Sequence, residues 1–232
     1  MPLKSLRSFV VAFAAASIIA SSALAHFVWI ETKPTDAGLL VRSGFGEIDG
    51  WDPDFIDRMA NSTFWVRSAT GMKPLSLPLD KKEAEYRATV ADVHANAVLG
   101  ATDYGIIAFG KSPPSHLRYT AKSFVGSPAD WNDAKPTAEL RIEVLAKLDG
   151  KNVALQVLHL GKPLAAAKIK AQTPAGDAVE LLTDEQGTAL WPTAGAGLYS
   201  LYVGTTTNTT GELNGKKFEA LKDYATLTFV LP

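Results

Sequence analysis

From Asn152 to His159 the residues alternate with a period of two, so that Val153, Leu155, Val157 and His159 share one face. A period of two belongs to the β-strand, whose successive side chains point to opposite sides, and an apolar face of this kind must be covered by a second layer. Short runs rich in aromatic or β-branched residues, Thr63 to Val66 and Tyr104 to Phe109, read as further strands. Turn-forming residues separate the runs at Gly71, Pro113-Pro114, Asp149-Gly150, 173–177 and Asn214-Gly215. One short helix is predicted, with Asp52 as N-cap and Pro53 as first residue before Phe55, Ile56 and Met59. A fainter helical pattern covers Pro128 to Asp133.

Many short strands between turns predict an all-β chain of sandwiches. The polar stretch Ser127 to Pro136, with a proline at each end, marks a boundary between two β-sandwich, immunoglobulin-like domains in series, 26–135 and 136–232. In the second domain seven strands are expected: Leu140 to Leu145, Asn152 to Leu160, Ala167 to Ala171, Val179 to Leu182, Thr188 to Trp191, Leu198 to Val203 and Ala225 to Leu231. The turn 183–187 between the fourth and fifth is rich in side chains that bond their own backbone.

The chain opens with a signal-peptide pattern. Lys4 and Arg7 precede an uncharged apolar run from Phe9 to Ala20, and Ala23-Leu24-Ala25 ends it with small residues where a signal peptidase reads. Cleavage after Ala25 leaves His26 first. The apolar run is shorter than the roughly 20 residues that a membrane span needs, and no later run approaches that length. The expected location is therefore periplasmic or secreted, with no membrane insertion after cleavage. Losing Lys4 and Arg7 leaves 21 basic against 24 acidic residues, or −3, which gives no electrostatic reason for nucleic acid as a partner. Cysteine is absent. Burial alone must hold the fold, and any metal must be bound through nitrogen and oxygen.

No zincin H-E-x-x-H, nucleophile elbow or Walker loop occurs, and Gly44-Phe45-Gly46 followed by Gly50 is one residue too long for a dinucleotide fingerprint. The chain is therefore expected to be no enzyme and to use no organic cofactor. The acidic run Asp49, Asp52, Asp54 and Asp57 reads as a solvated loop rather than a catalytic pair.

The most chemically pointed residue is His26. As a first residue it would offer a free α-amine and an imidazole, and neither proton is costly for a metal to displace. Together they form a chelate suited to nickel, cobalt, copper or zinc. His159 shares its face with three core residues and reads as a strand-end residue. His116 alternates with Arg118, Thr120 and Lys122 and so stands on a polar face, available to a partner although two cations oppose a metal there. His94 reads as an exposed loop residue.

The pieces His26-Phe27-Val28-Trp29-Ile30-Glu31, Gly44-Phe45-Gly46-Glu47, Asp103-Tyr104-Gly105, 117–122, 157–164 and the turn 183–187, in this order, resemble the DUF4198 family across nearly the whole mature chain. The resemblance implies a periplasmic β-sandwich protein associated with nickel or cobalt uptake, with a histidine first after export and a membrane metal transporter as partner. It also implies Glu47 as an oxygen ligand; the plain alternative makes Glu47 a surface carboxylate or a partner of Lys122 or Arg118. The expected metal site is thus His26, with Glu47 or His116 completing it, for a nickel, cobalt or copper ion. Two other readings stand beside it. Exposed Trp29, Trp51, Trp65 or Tyr104 would make the chain a non-metal binding module of the envelope for sugar, peptide or protein. A second imidazole facing His26, from His94 or His116, would make it a copper oxygenase of the histidine-brace kind.

Overall fold

The computed structural model describes residues 26–48, 50–91, 94–108, 110–131 and 136–232. The expected signal peptide, Asp49 of the acidic run, Phe109 and residues 132–135 of the 127–136 boundary lie outside these described residues. The strands of the first half are β1 (Phe27–Thr35), β2 (Gly38–Glu47), β3 (Gly50–Trp51), β4 (Thr63–Ser68), β5 (Gly71–Leu75), β6 (Leu79–Asp80), β7 (Glu85–Val90), β8 (Ala95–Ile107) and β9 (Ser115–Phe124). Those of the second half are β10 (Ile142–Asp149), β11 (Asn152–His159), β12 (Lys162–Pro163), β13 (Lys168–Gln172), β14 (Ala178–Leu182), β15 (Thr188–Pro192), β16 (Gly197–Leu213) and β17 (Lys216–Leu231). The chain is all-β, as the alternation predicts. All seven strands expected after residue 136 are present, the last two much longer than anticipated.

Among the described residues the strands form three sheets. A five-stranded sheet runs β1-β2-β7-β6 with β3 paired to β2, and a four-stranded sheet runs β10-β11-β12 with β15 paired to β11. Between them lies an eight-stranded sheet in the order β14-β13-β16-β17-β9-β8-β4-β5. Its centre is the parallel pairing of β17 with β9, in register from Ala220 opposite Ser115 to Thr228 opposite Ser123. The eight-stranded sheet therefore takes strands from both sides of the 127–136 boundary, and the two sandwiches share it.

Alternation on β9 and β17 shows how one sheet serves two layers. Leu117, Tyr119 and Ala121 enter one buried cluster with Phe27, Trp29, Val41 and Phe45 of β1 and β2. The intervening Thr120 donates its hydroxyl to the Ile142 carbonyl of β10. On β17, Ala225, Leu227 and Phe229 enter a second cluster with Val144, Leu155, Trp191 and Tyr199. Thr226 and Thr228 point the other way and donate to the carbonyls of Val28 and Ile30 on β1, each at 2.7 Å. Adjacent residues of a strand face opposite sides, so the five- and four-stranded sheets cover opposite faces of the shared one.

Local chemistry explains the connections. The β16–β17 hairpin turns at Asn214-Gly215, whose φ values of 50° and 77° are the positive pair that a two-residue primed turn requires. In the turn before β15, Asp184 Oδ1 accepts from the amides of Gln186 at 2.9 Å and Thr188 at 2.8 Å. The predicted helix forms at Pro53–Met59 as a 3-10 helix, capped by Asp52. A second helical turn, Pro128–Trp131, buries Trp131 against Phe124 and Phe229 with ring centroids 5.1 and 5.0 Å apart, and so ties the crossover after β9 to the second core. Among the described residues no helix is long and apolar enough to cross a membrane.

Phe229 is 1% exposed and stacks on Tyr199 with centroids 5.1 Å apart while meeting Trp131 and Trp191 edge-on. Three rings lose their common neighbour in Phe229→Ala. The expected loss is about 3–5 kcal/mol, the range for a large aromatic removed from a packed core, and urea unfolding of the two proteins measures it.

Candidate functional site

His26 stands immediately before β1, half-buried, at the edge of the first sandwich. Its ring closes a cluster of three, with Phe45 and Phe55 themselves 6.0 Å apart. Phe45 stacks on it with centroids 5.9 Å apart and an interplanar angle of 20°, and Phe55 of the 3-10 helix lies tilted at 6.1 Å. Phe45 is fixed in turn by Tyr104 and Tyr119, at 4.7 and 5.7 Å. Asp52 has two tasks here. One oxygen, Oδ1, caps the helix by accepting from the Asp54 amide at 3.0 Å, and the other, Oδ2, lies 3.6 Å from His26 Nε2. The acidic run thus supplies a cap and a histidine partner rather than a solvated loop alone.

Glu47 ends β2, half-buried, one step past the Phe27–Gly46 pair, and is therefore the next residue along the ladder beside His26. It turns into β3 by pairing with Gly50. Neither cation named as an alternative partner belongs to it: Lys122 is bonded to Glu143 and Arg118 to Asp223.

His116 is placed elsewhere. It alternates with Leu117 on β9 and so lies on the face of the shared sheet turned away from Phe27 and Tyr119. Its Nε2 is 2.8 Å from Asp103 Oδ1, its ring lies 5.4 Å from that of Phe218, and the residue is 7% exposed. The fold does not bring His116 to His26. His94 is exposed in the loop before β8. Among the described residues, no three His, Cys, Asp or Glu side chains gather to hold a metal ion. What the structure places against the His26 ring is the Asp52 carboxylate, not a cage of side chains.

The aromatic residues considered for a ligand groove are mostly inside. Trp29 and Tyr104 are 4% and 9% exposed, and Trp29 Nε1 donates to the Gly46 carbonyl at 3.0 Å. Trp65 packs against the second core. Trp51 lies flat on Gly44, where a Cβ would come within 2.2 Å of the indole, and Arg42 covers its ring at 4.8 Å.

The polar face of β9 predicted from the alternation exists, but the four-stranded sheet covers it. Arg118 forks onto Asp223 at 2.8 and 3.0 Å, and the same carboxylate accepts from or faces His159 Nε2 at 2.9 Å and Arg141 Nε at 3.5 Å. His159 is thus a strand-end residue tied to β17. Lys122, 2% exposed, donates to Glu143 and, at 3.0 Å, to the Val144 carbonyl. Burial pushes the Lys122 ammonium down from its ordinary 10.5 to about 8, against the pull of Glu143. Alternation could announce these side chains, but not their partners, because Glu143 and Asp223 are distant in sequence.

Compared with known proteins, the chain matches no family model and no curated protein. Among solved structures it is similar to native alpha-2-macroglobulin from Escherichia coli spanning domains NIE-MG1, at 10% identity and a TM-score of 0.24, covering 85% of this chain and 97% of that one. It is also similar to a 1.5-MDa bacterial ice-binding adhesin, at 10% identity and a TM-score of 0.25, covering 88% of this chain and 63% of the other. A pullulanase from Anoxybacillus sp. LM18-11 matches at 10% identity and a TM-score of 0.20, over 84% of this chain and 27% of that one. Likeness at these scores carries no functional argument, and the site must be read from its own residues.

The buried ammonium makes a prediction about pH. The folded chain gives up the Lys122 proton near pH 8, whereas the unfolded chain keeps it to its ordinary value of 10.5. Between those values the unfolded state binds more protons, so the Lys122 contribution to stability rises with pH. Denaturant unfolding of the wild type and Lys122→Met across pH 7 to 11 should show the difference between them drifting toward the wild type through that window. A constant difference would mean that Lys122 titrates alike folded and unfolded.

Proposed function

We propose that the chain, exported to the periplasm and cut after Ala25, binds a transition-metal ion of the nickel, cobalt or copper class and serves as an accessory to its uptake. The anchor is the α-amine and Nδ1 of His26. What supports this reading is the setting of that one ring, part-exposed at the head of β1, packed against the adjoining rings of Phe45 and Phe55, with Nε2 turned toward Asp52. A carboxylate on the far nitrogen of a metal-binding histidine orients the ring and raises its basicity. It also leaves Nδ1, the nitrogen on the side of the amine, for the ion. Glu47, next along the ladder, is the nearby oxygen donor, and His116 on the opposite face takes no part.

A shell built on one residue leaves open positions. The ion is then cargo that a membrane transporter can take over by supplying ligands of its own, and nitrogen with carboxylate oxygen suits this group of metals in a chain without thiols. The buried state of Trp29 and Tyr104 gives no comparable support to an aromatic groove for sugar or peptide.

Titration calorimetry of Ni(II), Co(II) and Cu(II) into the protein beginning at His26 should show tight binding that one additional N-terminal Ala abolishes. Asp52→Ala should weaken it by about 10- to 100-fold, the range carried by carboxylates behind a ligating histidine. Equal affinity with and without the extra Ala would exclude the amine chelate.

A further inference from the structure

Arg58 stands in the last turn of the 3-10 helix, exposed to solvent, and among the described residues it forms no ion pair. Its guanidinium lies over two rings of the His26 cluster, 5.9 Å from the centroid of Phe55 and 5.2 Å from that of Tyr104. Phe55 thus has the His26 imidazole on one border and a free cation on another. The Tyr104 hydroxyl feels the charges of both Arg58 and Asp52, the carboxylate that faces His26. Among the described residues nothing bonds that hydroxyl, although the tyrosine is only 9% exposed. The oxygen is not enclosed. The enclosed polar atoms without a partner are nitrogens of tryptophan and arginine and the amide oxygen of Asn96, so the Tyr104 oxygen opens to solvent. Burial of the ring pushes the phenol up to about 12, which keeps it a proton donor at neutral pH.

An unpaired guanidinium beside the anchor for a dication opposes a bare ion, because like charges in each other's reach repel. It suits an anion. The amine and imidazole of His26 occupy only part of the coordination sphere of nickel, cobalt or copper, and a carboxylate chelator can fill open positions while its outer oxygens point away from the ion. Those oxygens match a guanidinium fork and a phenol donor, in hydrogen bonds that the charges strengthen. We infer, resting on the metal reading above, that the ion is taken as its complex with a small dicarboxylate: His26 ligates the metal, while Arg58 and the Tyr104 hydroxyl hold the chelator. The cargo is then recognised by its chelator as well as by its metal.

Calorimetry of the chain beginning at His26 tests it, first with Ni(II) alone and then with malonate added to the metal-free and to the Ni(II)-loaded protein. Malonate should bind the loaded protein and not the metal-free one. Arg58→Gln should weaken malonate on the loaded protein at least about tenfold, the scale of one charge-assisted contact, yet tighten bare Ni(II) by lifting the repulsion. Tyr104→Phe should weaken malonate without tightening the bare ion. A loaded protein that ignores malonate, malonate held equally by wild type and Arg58→Gln, or malonate bound as well without the metal would each overturn the inference and leave the metal reading standing. Failure of the wild type to bind Ni(II) at all would overturn both.

Discussion

Everything in this fold hangs on the parallel pairing of β17 with β9. The chain's last strand enters the middle of the largest sheet beside a strand laid down about a hundred residues earlier, and it faces both neighbouring layers at once. On one side Ala225, Leu227 and Phe229 close the second core; on the other Thr226 and Thr228 reach the carbonyls of Val28 and Ile30. Those carbonyls belong to the open edge of β1, where an unsatisfied backbone acceptor would otherwise be buried. The two hydroxyls thus satisfy the edge and pin β1. His26 is the residue before β1, so the C-terminal strand fixes where the N-terminal ring can stand. A connection this distant in sequence is slow to close, since loop entropy opposes it until the contacts form.

The covered face of β9 shows a second constraint. Buried ion pairs add little net stability because desolvation offsets much of the attraction, but removing one partner leaves an uncompensated charge. Arg118 with Asp223, and Lys122 with Glu143, therefore act most strongly against wrong registers: a one-residue slip of β9 would turn both cations into the aromatic core around Phe27 and Tyr119. Without cysteine, the chain has no disulfide to make such alternatives unfavourable. The rings of Trp131, Trp191, Tyr199 and Phe229 supply the apolar part of that discrimination.

How much of this was legible depended on range. The alternation at 152–159, the turn at Asn214-Gly215 and the Asp52-Pro53 start of the short helix are local, and each appears where the residues place it. The polar face of His116, Arg118, Thr120 and Lys122 was also readable, but alternation says which side chains share a face and not whether another sheet covers it. His116, expected to be available to a partner, is found instead against Asp103 of β8 and Phe218 of β17, its neighbours in the same sheet. Asp52 was visible as a cap, whereas its approach to His26 required β1 and the helix to meet. Arg58 carried no signal: one arginine at the end of a short helix reads as exposed, and only its place over Phe55 and Tyr104 sets it apart.

The proposed chelate places a further condition on the chemistry of His26. Within the uncleaved chain its backbone nitrogen is an amide, whose proton a metal displaces at far greater cost than that of an amine with a pKa near ~8. The ring alone would then face the ion, with Asp52 behind it and no second nitrogen to close a chelate. Folding can position the imidazole before cleavage, because Phe45, Phe55 and Asp52 hold it through side-chain contacts that do not involve the amine. Cleavage after Ala25 would add the missing nitrogen to a ring already oriented. On this reading the order of events is set by covalent chemistry rather than by a conformational change: the protein becomes competent for metal where the signal peptidase acts, on the side of the membrane where the cargo is collected.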